Sequence, residues 1–414
     1  MTRAQFEEWR GDRGPHDPEI DGWWEDQAAA YEAAWNEFHA VTHSLATFEQ
    51  LPKGFIWDDP LHGRINLTEE HPLAAALVAQ PTFRRLFEVQ QFGDRRATSA
   101  QMRVKPHSRA EHSLGTYQLI RRHGGAEPLQ IAGLLHDVGH TAFSHHGEIV
   151  FDAERTETWH ETMVRGLITD PEHGIAPVLA EYGVDPEAVI QQLEHPLLDQ
   201  SHPELCADRV DYIWRDAVAC GFMDADLAAE NLTHLRVTED GRDWYFDHPQ
   251  PAQLTRELLE LLHTAVYTSN WMAEIKYLTG DLLRHGLDRG YLERKDILLG
   301  TDDGVLDKLW TVDAEDLRLD QLLREFRELG VGRLPPEMWE FQLDHIATKF
   351  RSYDHNMRAK YVDPLCEHVD AHGQTRIRRF TAWQAEGYDQ WHEPLGDRVY
   401  FLPPPPQPFY NGGS

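Results

Sequence analysis

His136 and Asp137 stand side by side in GLLHDVGH, residues 133–140. Adjacent residues on a helix point about 100° apart, so both can touch one ion lying beside it. An imidazole with a carboxylate is a donor pair for a borderline divalent cation. The remaining ligands must come from other segments. His112 offers one, within the polar cluster Arg109, Glu111 and His112. Asp208 offers another, at the head of DRVDYIWRD. His140, His145 and His160 follow the pair closely in sequence. So many ionisable groups beside an apolar run are costly to bury without partners or a task. The chemistry they suit is holding a divalent metal ion; a polar core network is the plainer alternative for each residue.

The elements that must position these groups read as helices. SRAEHSLGTYQLIRRH has an amphipathic pattern, with Leu114, Tyr117, Leu119 and Ile120 as its apolar positions. LQIAGLLHDVGH is a second, mostly apolar helix and should be buried. In DRVDYIWRD, Asp208, Tyr212, Arg215 and Asp216 recur at offsets that can share one helix face. Arg215 suits a structural ion pair. Further helices are expected at Asp26 to Leu45, at His71 to Phe92 in two pieces broken near Pro81, and over 251–290. Small β excursions are expected near residues 55–67, 235–247 and 395–402. The division expected is an N-terminal helical extension (1–50), a core (51–300), a C-terminal helical and mixed region (301–402) and a Pro/Gly tail (403–414).

Composition narrows the partners. Asp plus Glu number 70 against 39 Lys plus Arg, a formal charge of -31. Such a surface repels nucleic acid and anionic lipid at long range. Arg376, Arg378 and Arg379 are the nearest approach to a basic stripe, and three residues are too few. A small anion could enter only if the site reverses the field locally. Cys206, Cys220 and Cys366 form no CxxC pair, so neither a zinc ribbon nor a disulfide framework is implied. No apolar run approaches a membrane span, and a cytoplasmic location is expected.

Three segments carry a resemblance: RAEHSLG, then GLLHDVGHTAFSH, then DRVDYIWRD. Together they resemble the HD-domain metal-dependent phosphohydrolases, and within them the deoxynucleoside triphosphate triphosphohydrolase branch that includes the SAM-and-HD-domain enzymes. DDPLHGRINL, TFRRLFEVQQFG, TDDGVLDKL and RAKYVDPL extend the likeness over roughly residues 55–370. The fold implied is mainly α: an HD-domain helical bundle with small β excursions. The resemblance implies that His112, His136, Asp137 and Asp208 ligate one divalent transition metal, Mn, Fe, Co, Ni or Zn, with additional Mg as an option. It places His140, His145 and His160 at phosphate or in proton transfer, with Glu148 supporting His145. It places Gln91, Phe92, Arg109, Tyr212 and Asp216 around the sugar, and Arg209 at phosphate. A nucleotide substrate and a homo-oligomer are implied.

One segment departs from that branch. Its relatives carry an Arg, His and Tyr cluster that grips the triphosphate. The corresponding stretch here, Leu262–Tyr277, offers Lys276 and Tyr277 instead. The first expectation is a (deoxy)nucleoside triphosphate triphosphohydrolase. The alternatives are a nucleotide monophosphatase or phosphatase of a modified nucleotide, and a nucleotide-sensing or scaffold protein with a residual HD site.

Overall fold

A computed structural model describes residues 47–51, 54–93, 107–151, 159–268, 270–312, 315–331, 361–370 and 372–385. The helix expected at 26–45, the strand expected at 395–402 and the tail lie outside these.

Three strands come first: β1 (Thr47–Leu51), β2 (Gly54–Asp59) and β3 (Gly63–Asn66), an antiparallel sheet with Trp57 opposite Ile65. Short helices α1 (Leu67–Glu70), α2 (Pro72–Val78) and α3 (Pro81–Arg84) follow, then a 3-10 turn at Arg85–Glu88. Pro72 and Pro81 each open a helix, where a missing N–H costs nothing.

The site-bearing helices are α4 (Arg109–Arg122), α5 (Glu127–Leu135), α6 (His145–Glu148), α7 (Trp159–Thr169), α8 (Ile175–Glu181), α9 (Pro186–Ile190) and α10 (Ala207–Ala219). A capping box starts α4: the Ser108 side chain accepts from Glu111 N–H, and the Glu111 carboxylate accepts from Ser108 N–H. The sequence pattern suggests an amphipathic α4. The structure instead buries every residue from Arg109 to Ile120. The reason is that α5 and α10 pack against it from two sides. Glycines permit that closeness. A Cβ on Gly115 would lie 1.9 Å from Asp211 Oδ1, and one on Gly133 would lie 2.6 Å from Ile120 Cδ1.

Next come α11 (Ala225–Leu232), strands β4 (Leu235–Val237) and β5 (Trp244–Phe246), and α12 (Pro249–Leu262). A π-turn at His263–Tyr267 joins α12 to α13 (Asn270–Asp288). The chain continues with α14 (Arg294–Leu298), α15 (Asp302–Trp310) and α16 (Leu317–Val331). Strands β6 (Leu365–Val369) and β7 (Thr375–Arg379) form a hairpin before α17 (Phe380–Ala385). β6 joins β5 in parallel, completing the sheet β4-β5-β6-β7. Composition in this region signals only a change of pattern, so the hairpin was not individually legible.

Two apolar cores result. The larger runs from Trp57 through α4, α5 and α10 to Trp383. The smaller is built by α13 to α16, and Ala142 and Phe143 from the loop before α6 insert into it. Each buried Leu or Phe contributes about 1.5–3 kcal/mol. No helix among the described residues is long and apolar enough to cross a membrane.

Candidate metal centre

α5 ends at Leu135, with His136 as its C-cap and Asp137 in the turn beyond. The expectation of both groups inside one helix is therefore corrected: the helix delivers His136 and the turn delivers Asp137. His112 comes from the first turns of α4 and Asp208 from the first turn of α10.

The four side chains meet. His112 Nε2 lies 2.9 Å from Asp208 Oδ1, 3.8 Å from Asp137 Oδ2 and 3.3 Å from His136 Nε2. His136 Nε2 lies 3.4 Å from Asp137 Oδ1 and 3.6 Å from Asp208 Oδ1. Each ring's other nitrogen is committed. His112 Nδ1 donates to Asp211 Oδ2 at 2.9 Å, and His136 Nδ1 donates to Gly133 O at 2.8 Å. Both acceptors lack a proton to give, so these nitrogens carry the N–H. The two Nε2 lone pairs then face each other and two carboxylates. Such a donor set fits a divalent cation: ligands about 2.0–2.2 Å from a metal sit about 3–3.6 Å apart. Two Asp and two neutral His form a hard-to-borderline set.

The four groups bias one another's protonation. Burial opposes charge on His112, but hydrogen bonds to Asp208 and Asp211, with Asp137 nearby, raise it to about 10. His136 is raised as well, burial being outweighed by Asp137 and Asp208. Burial works against the carboxylate of Asp137, yet His136, His140 and Arg109 hold it well below the usual range. Asp208 is held low by His112 and His136, again against burial. Cys206 and Asp199 lie near Asp208. Burial pushes the Cys206 thiol up to about 12, which leaves it a poor rival ligand.

Beneath His112 lies a second layer. Asp211 accepts from His112, from His62 Nε2 at 2.9 Å and from Arg215 Nε at 2.9 Å. Arg215 Nη1 also donates to Asp59 Oδ2 at 2.6 Å. All of these groups are buried. Arg215 makes the ion pair its spacing suggests, but it turns with Asp211 and not with Asp208 and Tyr212. The DDPLHGR segment thus reaches the site through Asp59 and His62.

A histidine cluster adjoins the centre. Glu148 Oε1 lies 3.1 Å from His140 Nδ1, 3.4 Å from His145 Nδ1 and 3.0 Å from His160 Nδ1. The rings of His140 and His160 stack at 3.8 Å. Burial resists charge on Glu148, but His145 and hydrogen bonds from His140, His145 and His160 hold its carboxyl far below the usual range. Burial, Arg109 and His160 pull His140 down to about 3, against the pull of Asp137. His140 Nε2 lies 3.2 Å from Asp137 Oδ1 and links the two groups. His145 follows Phe143 and Ser144, whose φ values are 62° and 53°. A non-glycine residue there costs about 1–3 kcal/mol and must be held by its surroundings.

Other expected residues divide into three groups. The Arg109 guanidinium donates to Asp137 Oδ2 and Ser144 Oγ, each at 2.9 Å. Phe92, Tyr212 and Asp216 gather around Tyr267 and His107. Tyr267 Oη donates to Asp216 Oδ2 at 2.6 Å, and His107 Nε2 lies 3.0 Å from Asp216 Oδ1. Phe92 meets the His107 ring edge-on at 5.4 Å, and Tyr212 meets Tyr267 at 6.4 Å. Gln91 joins them through its N–H, which donates to His107 O at 3.0 Å. The Arg209 guanidinium donates to the carbonyls of Glu204 and Gln200 and lies within electrostatic reach of Asp208 and Tyr212.

Sequence reasoning singled out neither Asp211 as a partner of His112 nor Tyr267, His107 and His62. Asp211 left a signal in its i,i+4 spacing to Arg215. Tyr267 left none, because the π-turn shifts the helical register.

The fold is mainly helical, and residues 109–212 match the HD domain family. The uncharacterized protein YdhJ of Bacillus subtilis is 41% identical over 136 residues, covering 33% of this chain and 41% of that protein. The metal-dependent phosphohydrolase cns2 of Cordyceps militaris is 35% identical over 131 residues, covering 31% of this chain and 37% of that protein. The human deoxynucleoside triphosphate triphosphohydrolase SAMHD1 is 33% identical over 179 residues, covering 35% of this chain and 27% of that protein. The chain thus spans less than half the length of these curated relatives. A crystal structure of a hypothetical protein from Aquifex aeolicus shares the fold, with a TM-score of 0.52 at 20% identity over 81% of this chain and 92% of that one.

Proposed function

We propose that the protein is a metal-dependent phosphohydrolase of small phosphorylated substrates, with nucleotides as the class and (deoxy)nucleoside triphosphates as first choice. The observation that carries the reading is the convergence of two Nε2 lone pairs and two carboxylates within a few ångströms. His112, His136, Asp137 and Asp208 would hold the cation. When bound, the ion supplies positive charge for a phosphoryl oxygen and acidifies water at the site.

The chain's own groups account for the rest of the chemistry. Asp211 and Gly133 O fix the tautomers of the two histidine ligands. His145, half-buried beside Glu148, delivers or relays the proton that the leaving oxygen needs. His140 and His160 form the wall on the same carboxylate and face phosphate. Arg109 adds fixed positive charge next to Asp137. Phe92, Tyr212, Asp216 and Tyr267 flank the centre along α10, which suits them to the non-phosphate part of the substrate. Residues 51–300 carry the chemistry in this reading and 301–402 support it.

The names of cns2 and SAMHD1 favour phosphohydrolysis, and SAMHD1 favours the triphosphate. One observation favours a shorter phosphate chain. In 262–277 the sequence supplies only His263 and Lys276 as cationic candidates. The test is a nucleotide and phosphoester panel run with Mn, Fe, Co, Ni, Zn and Mg, with products identified. Tripolyphosphate release supports the first choice; orthophosphate release supports the monophosphatase. Metal-loaded protein that binds nucleotides and releases neither would overturn hydrolysis and leave a sensor.

A further inference from the structure

Asp302 is buried at the first position of α15, outside the HD domain, yet its carboxylate reaches two site-bearing segments. Oδ1 accepts from Phe143 N–H at 2.6 Å and Oδ2 accepts from Gln90 N–H at 3.0 Å. Phe143 and Ser144 are the two described non-glycine residues with positive φ, and His145 follows them. The Gln90 carbonyl accepts from Ser144 Oγ at 2.6 Å, and Ser144 Oγ accepts from Arg109 Nε. Arg109 in turn holds Asp137. A continuous polar path thus runs from α15 to the aspartate of the HD pair.

A second link parallels it. Arg85, also buried, donates through Nη2 to Val138 O and His140 O, each at 2.7 Å, and through Nη1 to Gly300 O. Ala142 N–H donates to Ile297 O at 2.9 Å. The loop that carries His140 and aims His145 is therefore fastened to the α14–α15 corner. A backbone turn that L residues rarely adopt needs such fastening to persist. A carboxylate is suited to it because it accepts from two N–H groups with no proton of its own.

We propose that Asp302 is a positioning residue: by holding Phe143 and Gln90 together, it sets the turn that aims His145 and Glu148 at the metal centre. The proposal rests on the phosphohydrolase reading for its effect on turnover, but not for its effect on the loop. Asp302→Asn keeps the shape and turns one acceptor into a donor that faces an N–H.

In D302N, amide hydrogen exchange should quicken in peptides from 138–151 and 85–93 and stay as in the parent in α4 and α10. Metal content should equal the parent's. In the metal-loaded protein kcat should fall about tenfold to a hundredfold, with KM within about threefold. Adding D302N to His145→Ala should cost little more, because both act through one turn. Unchanged exchange in 138–151, an even rise across the chain, or losses that multiply in the double variant would each overturn the proposal. If the parent hydrolyses no phosphate compound, the functional reading fails, and the exchange pattern still decides the role of Asp302. If D302N does not fold, Asp302→Glu keeps the charge, displaces both acceptors and should give the same local pattern.

Discussion

Asp211 Oδ2 lies 2.9 Å from Nδ1 of His112, and the same carboxylate binds Arg215 and His62. One buried group therefore holds the His112 ring and anchors α10 against α4 and the β2–β3 turn. Function and stability should separate at this position by choice of substitution.

Asp211→Asn should keep the volume and weaken the hold on His112 Nδ1–H. Metal affinity should drop about 10–100-fold. Asp211→Ala also strands Arg215 and should lose about 3–5 kcal/mol of stability. Chelator competition reads the first effect and thermal unfolding the second. Equal metal affinity in D211N and the parent would remove Asp211 from the account.

Proton competition sets the direction of the pH effect. Metal-free His112 is raised from 6.5 to about 10, and a ligand must lose that proton. Metal affinity should therefore climb with pH up to about 10 and level off above it, with protons released on binding. For the metal-free fold the sign is the reverse. The stabilisation from charged His112 is complete below the unfolded value near 6.5 and is lost as pH rises through about 10. Calorimetry in buffers of different ionisation enthalpy counts the protons; metal affinity flat with pH would contradict the assignment.

Glu148→Gln should leave the metal in place and slow turnover about a hundredfold or more. The amide retains one acceptor, whereas Glu148 Oε1 now serves three histidines. Metal analysis alongside kcat separates the two effects. Loss of metal in step with activity would make Glu148 part of the metal site instead.

The four donors were readable as candidates because each contributing segment carries a donor and its context together, as GLLHDVGH does for His136 and Asp137. The mainly helical fold followed from the same periodic segments. What could not be read arises from tertiary contact. Helical spacing groups Arg215 with Asp208, but Gly115 opens room on the other side, and Arg215 follows Asp211 into it. A π-turn breaks the register that would have pointed to Tyr267. Asp302 lies 159 residues from Phe143, and no local pattern announces that contact.

His112, His136, Asp137 and Asp208 should hold one metal ion that turnover requires. Metal content per chain, measured with phosphate release in the parent and in Asp137→Ala and Asp208→Ala, tests it most directly. About one bound divalent ion and turnover are expected in the parent, with both lost in each folded variant. A folded Asp137→Ala protein that retains its metal, or still releases phosphate at the parent's rate, would contradict it.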